Sequence, residues 1–236
     1  MLVLVVDSST PAVTAALAEV TAAGVALRAQ RRSVDARAHG ELLAPAVGEV
    51  LAEAGARPTD LAAIVAGLGP GPFTGLRVGL VTAASMGQVL GVPTYGVCSL
   101  DALGLAATRD LDVTAARDGA PGGPVLVATD ARRREVYWAV YAAGQRVTEP
   151  AVDAPAVVAA RAAALAVGAA VGEGAERYAD VLGLPVRSEP RFPPAEELVT
   201  LAAERVLRGA PGEPLTPLYL RRPDAVEPTT RKPVLR

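Results

Sequence analysis

The stretch Val65-Ala66-Gly67-Leu68-Gly69-Pro70-Gly71-Pro72-Phe73-Thr74-Gly75-Leu76-Arg77-Val78-Gly79 connects a predicted strand to a predicted helix. The apolar run at 61–66 is typical of a buried strand, and the Gly/Pro segment after it is typical of a tight connection. A long helical pattern follows, and Thr74 stands where its side-chain oxygen would cap the first turn. The stretch therefore predicts a strand, a stiff loop and a helix in succession.

The Gly/Pro loop could be a plain turn, or a phosphate cradle made of backbone N–H groups at a helix N-terminus. The P-loop pattern fails because Leu76 and Arg77 follow Gly75, where that pattern requires Lys and then Ser or Thr. The dinucleotide pattern Gly-x-Gly-x-x-Gly fails because Pro72 stands in place of its last glycine. Since proline has no N–H to donate, a structural role for the loop is favoured.

Small residues form a stripe along the predicted helix. They recur at every fourth position and therefore share one face. The members of the stripe are Gly75, Gly79, Ala83 and Gly87. Glycine inside a helix costs roughly 1 kcal/mol relative to alanine, so the stripe needs a packing reason. The close approach of a second backbone would supply that reason.

Length and composition describe a globular protein with a large core. The chain has 236 residues, of which 51% are hydrophobic and 20% charged, and its net charge is −2. A charge so close to zero argues against a surface devoted to nucleic acid. Cys98 is the only cysteine, which excludes an intrachain disulfide and favours a reducing compartment. Without a signal-peptide pattern or a membrane-spanning apolar run, we expect a cytoplasmic protein that does not enter membranes.

Periodicity along the chain predicts two α/β lobes of related plan. The first lobe should begin with three antiparallel strands and continue with an amphipathic helix at 39–54. A helix from Ser99 to about residue 107 should end it. Residues 109–124 show little periodicity, so we place the boundary there, with an N-terminal lobe at 1–108 and a C-terminal lobe at 109–236. The elements expected in the second lobe are strands at 125–129, 135–141 and 166–172 and helices at 155–165, 173–182 and 194–207.

Side chains for catalysis or metal binding are scarce. His39 is the only histidine, and Leu43 stands where a second one would complete a His-x-x-x-His pair. The sequence has neither a Cys/His cluster for zinc nor a Gly-x-Ser-x-Gly nucleophile motif. The acidic, hydroxyl-rich turn that begins at Asp7 lies where actin-like and sugar-kinase-like folds hold phosphates and metal, but these residues alone favour an ordinary hairpin turn. We therefore predict no catalytic residue and no metal ligand.

Five segments of the chain resemble segments of the bacterial TsaB (YeaZ) family. The stretch from Gly69 to Gly79 is similar to the family signature Gly-Pro-Gly-Ser-Phe-Thr-Gly-Leu-Arg-Ile-Gly, although Pro72 stands where that signature usually has Ser. The other four segments match in the same order: Asp7-Ser8-Ser9-Thr10, His39 with Leu42-Leu43-Ala44-Pro45, Asp130-Ala131-Arg132-Arg133-Arg134-Glu135-Val136-Tyr137 and Pro217-Leu218-Tyr219-Leu220-Arg221. The family-motif residues are Asp7, Gly69, Gly71, Phe73, Thr74, Asp130, Arg132, Glu135 and Tyr137.

This resemblance implies a fold and a function. The fold would be the actin-like (ASKHA) one, with two related α/β lobes whose mixed sheets are flanked by helices. The function would be that of a non-catalytic subunit in forming threonylcarbamoyladenosine beside the anticodon of tRNAs that read codons starting with A. It would support TsaD, the paralogue that carries a metal-binding histidine pair and transfers the threonylcarbamoyl group. TsaE, an ATPase, would join them, and tRNA would be contacted only through the complex.

The resemblance also implies a partner surface on two helices of the first lobe. TsaD, or a second copy when the chain is alone, would bind there. ATP or ADP could lie at this interface, whereas the chain by itself is not expected to bind a cofactor. Together with the small-residue stripe, the resemblance predicts the interface residues His39, Leu42, Leu43, Val47, Gly75, Arg77, Gly79, Ala83 and Gly87.

Two other functions remain open. The first is an M22-like glycoprotease or other hydrolase, against which the lone histidine and the missing metal pair argue. The second is an actin-like nucleotide-binding kinase. The loops lack a lysine, and Ser9 stands where such kinases usually have glycine, so this alternative is also disfavoured.

Overall fold

The computed structural model describes residues 1–118 and 123–221, which form two mixed five-stranded sheets flanked by helices. The strands are Leu2–Asp7 (β1), Ala12–Thr21 (β2), Gly24–Val34 (β3), Ala63–Gly67 (β4), Thr94–Val97 (β5), Val125–Asp130 (β6), Val136–Ala142 (β7), Gln145–Arg146 (β8), Ala151–Asp153 (β9) and Ala169–Val171 (β10). The α-helices are His39–Glu53 (α1), Phe73–Leu90 (α2), Ser99–Asp118 (α3), Pro155–Ala164 (α4), Glu173–Arg177 (α5), Ala179–Leu182 (α6) and Ala195–Leu207 (α7). A short 3₁₀ turn covers Pro58–Asp60.

The two sheets repeat one plan. In the first, the strand order is β3-β2-β1-β4-β5, in which β1 pairs antiparallel with β2 and parallel with β4. In the second, β6 takes the place of β1, because it pairs antiparallel with β7 and parallel with β10. Strands β8 and β9 both pair with β7 and extend that side. This repetition confirms the predicted actin-like fold of two related lobes.

The apolar strand β1 is buried on both faces, as expected for a strand at the centre of a mixed sheet. Leu4 and Val6 face a cluster formed with α1 and α2, whereas Val3 and Val5 face a cluster formed with α7. Helix α3 contacts α7 and also packs on β6 and β7. Helices α4 to α6 contribute to the cluster on the outer face of the second sheet. The layers therefore alternate helix, sheet, helix, sheet, helix.

The sequence-based prediction is wrong at three points. Helix α3 continues to Asp118 instead of ending near residue 107, because neither Gly nor Pro interrupts it between Gly104 and Gly119. Thr74 is not the N-cap, because α2 already begins at Phe73. Pro72 occupies the N-cap position, and no side chain caps the helix. The helix expected at 173–182 is split into α5 and α6 at Tyr178.

The division of the chain at 108/109 stays a prediction. That position lies inside α3, and α7 packs on the first sheet although it belongs to the second half of the chain. The basic residues at Arg222, Arg231, Lys232 and Arg236, which the sequence suggests form a solvated tail, lie outside the described residues.

The small-residue stripe of α2 faces this chain's own turn after β1 and the start of β5. A Cβ atom added at Gly79 would lie 2.5 Å from Ser8 Oγ, and one added at Gly87 would lie 2.5 Å from Thr94 Cγ2. Ala83 is fully buried. The atoms that approach Gly79 and Gly87 most closely belong to this chain, which supplies a packing reason for these two glycines. Whether a partner also packs on this part of α2 stays a prediction.

We predict that Gly79→Ala destabilises the fold by about 1–3 kcal/mol. The added methyl group displaces the Ser8 hydroxyl, which donates to Gly75 O at 2.8 Å and accepts from Gly79 N at 2.9 Å. Urea unfolding measures the change. The matched control is Gly48→Ala in the exposed part of α1, where no atom lies within 4 Å of the new Cβ. The control should gain about 0.5–1 kcal/mol. Equal effects at both positions would contradict the assigned role of the stripe.

Candidate functional site

The candidate site is the cleft between two turns that occupy equivalent positions in the two lobes. Asp7 ends β1 and Asp130 ends β6, the strands that correspond in the two sheets. A cavity of about 440 Å³ between the lobes is lined by Pro11 from the first turn and by Asp130 and Arg132 from the second. The repeated fold thus places a buried carboxylate at the end of each of these two strands, and of the two carboxylates Asp130 is the one that lines this cavity.

In the first lobe, the Asp7 carboxylate is bound by its own neighbours. Ser99 Oγ donates to it at 2.6 Å, and both the N–H and the hydroxyl of Ser9 donate to it at 3.1 and 2.9 Å. Burial raises its pKa, and the hydrogen bonds from Ser99 and Ser9 oppose that effect. A Cβ at Gly67 would lie 1.7 Å from Asp7 Oδ2, so only glycine fits there. The carboxylate is therefore part of the core of the lobe and holds β1, β4 and α3 together.

His39 is buried and connects α1 to the same turn. Its Nε2 lies 2.8 Å from Thr10 O, and because a carbonyl oxygen can only accept, Nε2 carries the proton in this contact. The edge of the ring also lies against Gly75 of α2, where a Cβ would approach Nε2 to 3.2 Å. The histidine thus fixes the junction of α1, α2 and the turn.

The Gly/Pro loop packs directly on the turn. Its Gly69 N–H donates to Ser99 Oγ at 3.2 Å, and Ser99 N–H donates to Gly69 O at 2.8 Å. A Cβ at Gly71 would lie 2.1 Å from Ser9 O. Through these contacts the loop positions α2 and α3. This agrees with the structural role that the sequence favoured for the loop.

In the second lobe, Asp130 lies in a cluster of charged residues at the edge of the cleft. Its Oδ2 lies 3.2 Å from Arg177 Nη1, and its Oδ1 accepts the N–H of Arg132 at 3.2 Å. Asp130 N–H donates to Glu173 Oε1 at 3.0 Å. The pKa of Glu173 is raised to about 7, chiefly by burial and also by repulsion from Asp130, while Arg132 and Arg177 act in the opposite direction. The raised pKa places the titration of Glu173 near neutral pH.

We predict that Glu173→Gln makes the protein more stable at pH 8 than the wild type, by about 1–3 kcal/mol. The folded-state pKa of Glu173 lies above the usual value of 4.5, so the folded protein retains a proton that the unfolded chain loses between pH 4.5 and about 7. Stability from this group is present at low pH and is lost as the pH rises through that interval. Glutamine keeps the acceptor for Asp130 N–H and cannot ionise.

Urea unfolding of both proteins at pH 5, 6, 7 and 8 measures this effect. Near pH 5 the two proteins should have similar free energies of unfolding. As the pH rises, the wild type should become less stable than Glu173→Gln. Glu176→Gln is the matched control, since Glu176 also lies at this cavity but is paired with Arg191 at its surface. A constant difference between wild type and Glu173→Gln at all pH values would contradict the assignment.

A second cavity, of about 400 Å³, opens beside the Gly/Pro loop. One wall is Phe73 at the start of α2, and another is the turn that carries Arg132 and Arg133. The closing segment, residues 217–221, forms a third wall. Its Tyr219 ring is stacked on Phe73 with the ring centres 5.2 Å apart. This segment therefore completes a cavity to which both lobes contribute.

Most of the predicted interface residues are buried within this chain. Only Arg77 is exposed, and Leu42 and Gly75 are half-buried. The other six, which are buried, are His39, Leu43, Val47, Gly79, Ala83 and Gly87. The pattern in the sequence located the faces of α1 and α2 that pack, but it could not say whether they pack within the chain or against a partner. Whether the outward faces of these helices bind a partner stays a prediction.

The structure places several family-motif residues at the two cavities and adds three residues that were not predicted to be site residues. Gly71 and Phe73 line the second cavity, Asp130 lines the first, and Arg132 lines both, whereas the Asp7 carboxylate is buried and lines neither. The additional residues are Ser99, Glu173 and Tyr219. Tyr219 belongs to the closing segment that resembles the family, whereas Ser99 was predicted only as the first residue of a helix.

The remaining chemistry of the described residues is sparse. Cys98 is buried and its thiol pKa is raised to about 12, mainly by burial, as expected for a core cysteine. Within residues 1–118 and 123–221, three or more His, Cys, Asp or Glu residues do not come together in an arrangement that could hold a metal ion. In the same part of the chain, none of the helices is long and apolar enough to cross a bilayer.

The fold and the cleft define a two-lobe actin-like protein, and comparison with known proteins narrows this class. A family model described as TsaD, tRNA N6-adenosine threonylcarbamoyltransferase, matches residues 32–190. The tRNA threonylcarbamoyladenosine biosynthesis protein TsaB of Escherichia coli K12 is 33% identical over 198 residues, which cover 78% of this chain and 81% of TsaB. The chain therefore belongs to the TsaD/YeaZ (TsaB) family.

Other relatives agree with this assignment. A protein of Mycobacterium tuberculosis H37Rv, described as uncharacterized, is 47% identical over 223 residues, which cover 94% of this chain and 93% of that protein. A solved structure of YeaZ from Pseudomonas aeruginosa is similar with a TM-score of 0.72 and 30% identity, and the match covers 93% of this chain and 99% of YeaZ. The similarity thus extends over both lobes.

Proposed function

We propose that this chain is the non-catalytic subunit that binds and supports a TsaD-type transferase as it forms threonylcarbamoyladenosine on tRNA. The modified base would be the adenosine beside the anticodon of tRNAs that read codons starting with A. The observation that carries the proposal is the similarity to TsaB of E. coli, a tRNA threonylcarbamoyladenosine biosynthesis protein, over 81% of that protein's length. In the proposed complex, TsaE is a further member, tRNA is bound only through the assembly, and the reaction takes place in the cytoplasm.

The geometry of the first lobe supports an accessory role. The groups at the position where actin-like folds hold phosphate are already used inside the chain. Asp7 accepts from Ser9 and Ser99, Ser8 binds the backbone of α2, and His39 binds Thr10. A side chain that is buried and hydrogen-bonded to its own fold is poorly placed to transfer a proton or coordinate a substrate. The hydrolase and kinase alternatives would have to use these same groups.

The proposed docking surface is the outward face of α2, beside α1. Val81 and Val89 are 62% and 84% exposed there. Arg77 is the only charged residue in α2. An exposed helix face that carries two valines and almost no charge loses little when it is removed from water, so it suits burial against a partner. TsaD is the partner we assign to this face, a second copy can take its place when the chain is alone, and ATP or ADP could lie at the same interface.

We expect the chain to be required for tRNA modification in a reaction rebuilt from purified components. The reaction contains this chain, the cognate TsaD and TsaE, tRNA and pre-made threonylcarbamoyl-adenylate, and the measurement is the amount of modified adenosine. Modification should be sustained when all three proteins are present and should fall when this chain is omitted. The chain alone should give none. If the chain is dispensable, or hydrolyses ATP or peptide by itself, the proposal fails.

We predict that Val81→Glu abolishes binding to TsaD without unfolding the chain, because it places a charge at the centre of the apolar face. The matched control is Val181→Glu, which changes a similarly exposed valine (50%) on the second lobe. Pull-down and isothermal titration measure binding, and thermal unfolding confirms that both variants fold. Normal binding by Val81→Glu, or equal loss in the control, would exclude α2 as the docking surface.

A further inference from the structure

We propose that the closing segment, residues 217–221, is a latch that holds the two lobes together and that releases from the second lobe to let the cleft open. The segment connects two other stretches that resemble the family. Its Tyr219 accepts a hydrogen bond from Arg77 of α2, and its Arg221 contacts the turn after β6. The proposal concerns this chain alone, so it does not rest on the docking of a transferase.

The chain just before the closing segment is anchored firmly to the first lobe. Glu213 N–H donates to Thr94 O at 2.8 Å along the edge strand β5, and Thr94 Oγ1 donates back to Glu213 O at 3.1 Å. The Glu213 carboxylate accepts from Arg205 of α7 at 2.6 and 2.8 Å, and Tyr95 OH donates to Ala210 O at 2.6 Å. These bonds reinforce one another without help from the second lobe, so the anchor does not depend on the latch.

The contacts of the latch with the second lobe are fewer and lie closer to water. Arg221 Nη1 donates to Ala131 O at 3.0 Å, and the same guanidinium forms an ion pair with Glu135, whose side chain is 37% exposed. Leu218 and Leu220 pack on the core of the second lobe but remain half-buried. A partly exposed ion pair contributes little net free energy, because water and salt screen it. We therefore expect this end to open before the anchor does.

The turn that the latch holds has a strained backbone. Residues 132–134 have φ values of 60°, 54° and 61°, which place three consecutive non-glycine residues in the left-handed region. Such strain persists only where surrounding contacts maintain it. Because Arg221 binds Ala131 O at the base of the turn, release of the latch lets the turn relax. The nearby contact from Tyr137 OH to Gly71 O is 3.5 Å long and adds little to hold the lobes together.

Helix α3 is the connection that stays when the latch opens. Its Ser99 donates to the Asp7 carboxylate of the first lobe at 2.6 Å, whereas Leu103 and Ala107 pack in the core of the second lobe. All of these residues are buried. The lobes can therefore turn about α3 without separating, and the latch closes the side of the cleft that lies beside the Gly/Pro loop.

Hydrogen exchange of the full chain measures release of the latch. In Arg221→Gln, which loses the ion pair, the amides of residues 218–221 should exchange about fivefold to tenfold faster than in the wild type. The amide of Glu213 should be unchanged, because it belongs to the anchor. Glu135→Gln removes the same ion pair from the second lobe and should accelerate the same amides by about twofold to fivefold. The matched control is Arg208→Gln, which breaks the exposed pair with Glu204 on α7 and should behave like the wild type.

Distances between two spin labels show whether the lobes move. The labels are attached at Ala44→Cys in α1 and Ala160→Cys in α4, which are exposed positions on different lobes. The native Cys98 is buried and is left in place. Arg221→Gln should broaden the distance distribution and add a population at a second separation, because the cleft opens in part of the molecules.

Two results would overturn the proposal. The first is equal exchange of residues 218–221 in the wild type, Arg221→Gln and Arg208→Gln. The second is faster exchange in Arg221→Gln with an unchanged distance distribution, which would mean that the segment frees itself without moving the lobes. Thermal unfolding confirms that each variant folds, and Glu135→Gln provides both measurements if Arg221→Gln does not fold.

Discussion

The buried carboxylate of Asp7 is the constraint on which the rest of the first lobe depends. It ends the central strand and accepts hydrogen bonds from the turn through Ser9 and from the start of α3 through Ser99. A buried charge without such partners would cost several kcal/mol, so the turn, the Gly/Pro loop and α3 must all take their observed positions. Gly67 follows from the same constraint, because any side chain there would overlap the carboxylate. Asp7 is therefore a structural centre of the first lobe.

The inner and outer faces of α2 have different roles. The inner face of α2 is occupied by Ser8 and His39 of the same chain, which explains its small residues without a partner. Its outer face keeps exposed valines and a single arginine. This separation is consistent with the proposed role of the chain as a subunit that binds a partner through the outer face of α2.

The second lobe repeats the plan with different chemistry. Asp130 corresponds to Asp7 but is paired with Arg177 and lies beside Glu173, whose pKa is raised to about 7. The closing segment then joins the lobes, since Leu218 N–H donates to Leu68 O and Arg221 contacts Ala131 O. This connection fixes the closing segment against both the Gly/Pro loop and the turn after β6. Charge near the cleft is therefore concentrated in the second lobe and in the closing segment.

The sequence by itself determined the order of elements, the two-lobe fold and the family, because apolar periodicity and the glycine-rich signature are local properties of the chain. The strands at 2–6, 125–129 and 135–141 and the helices at 39–54 and 194–207 followed from such patterns with small errors at their ends. Only the tertiary structure decided what the small-residue stripe packs against, since helical spacing identifies a face but not its neighbour. It also decided that Glu173 joins Asp130, and that Tyr219 meets Phe73 across 146 positions of the chain. Those contacts form only when distant segments meet, so no local pattern encodes them.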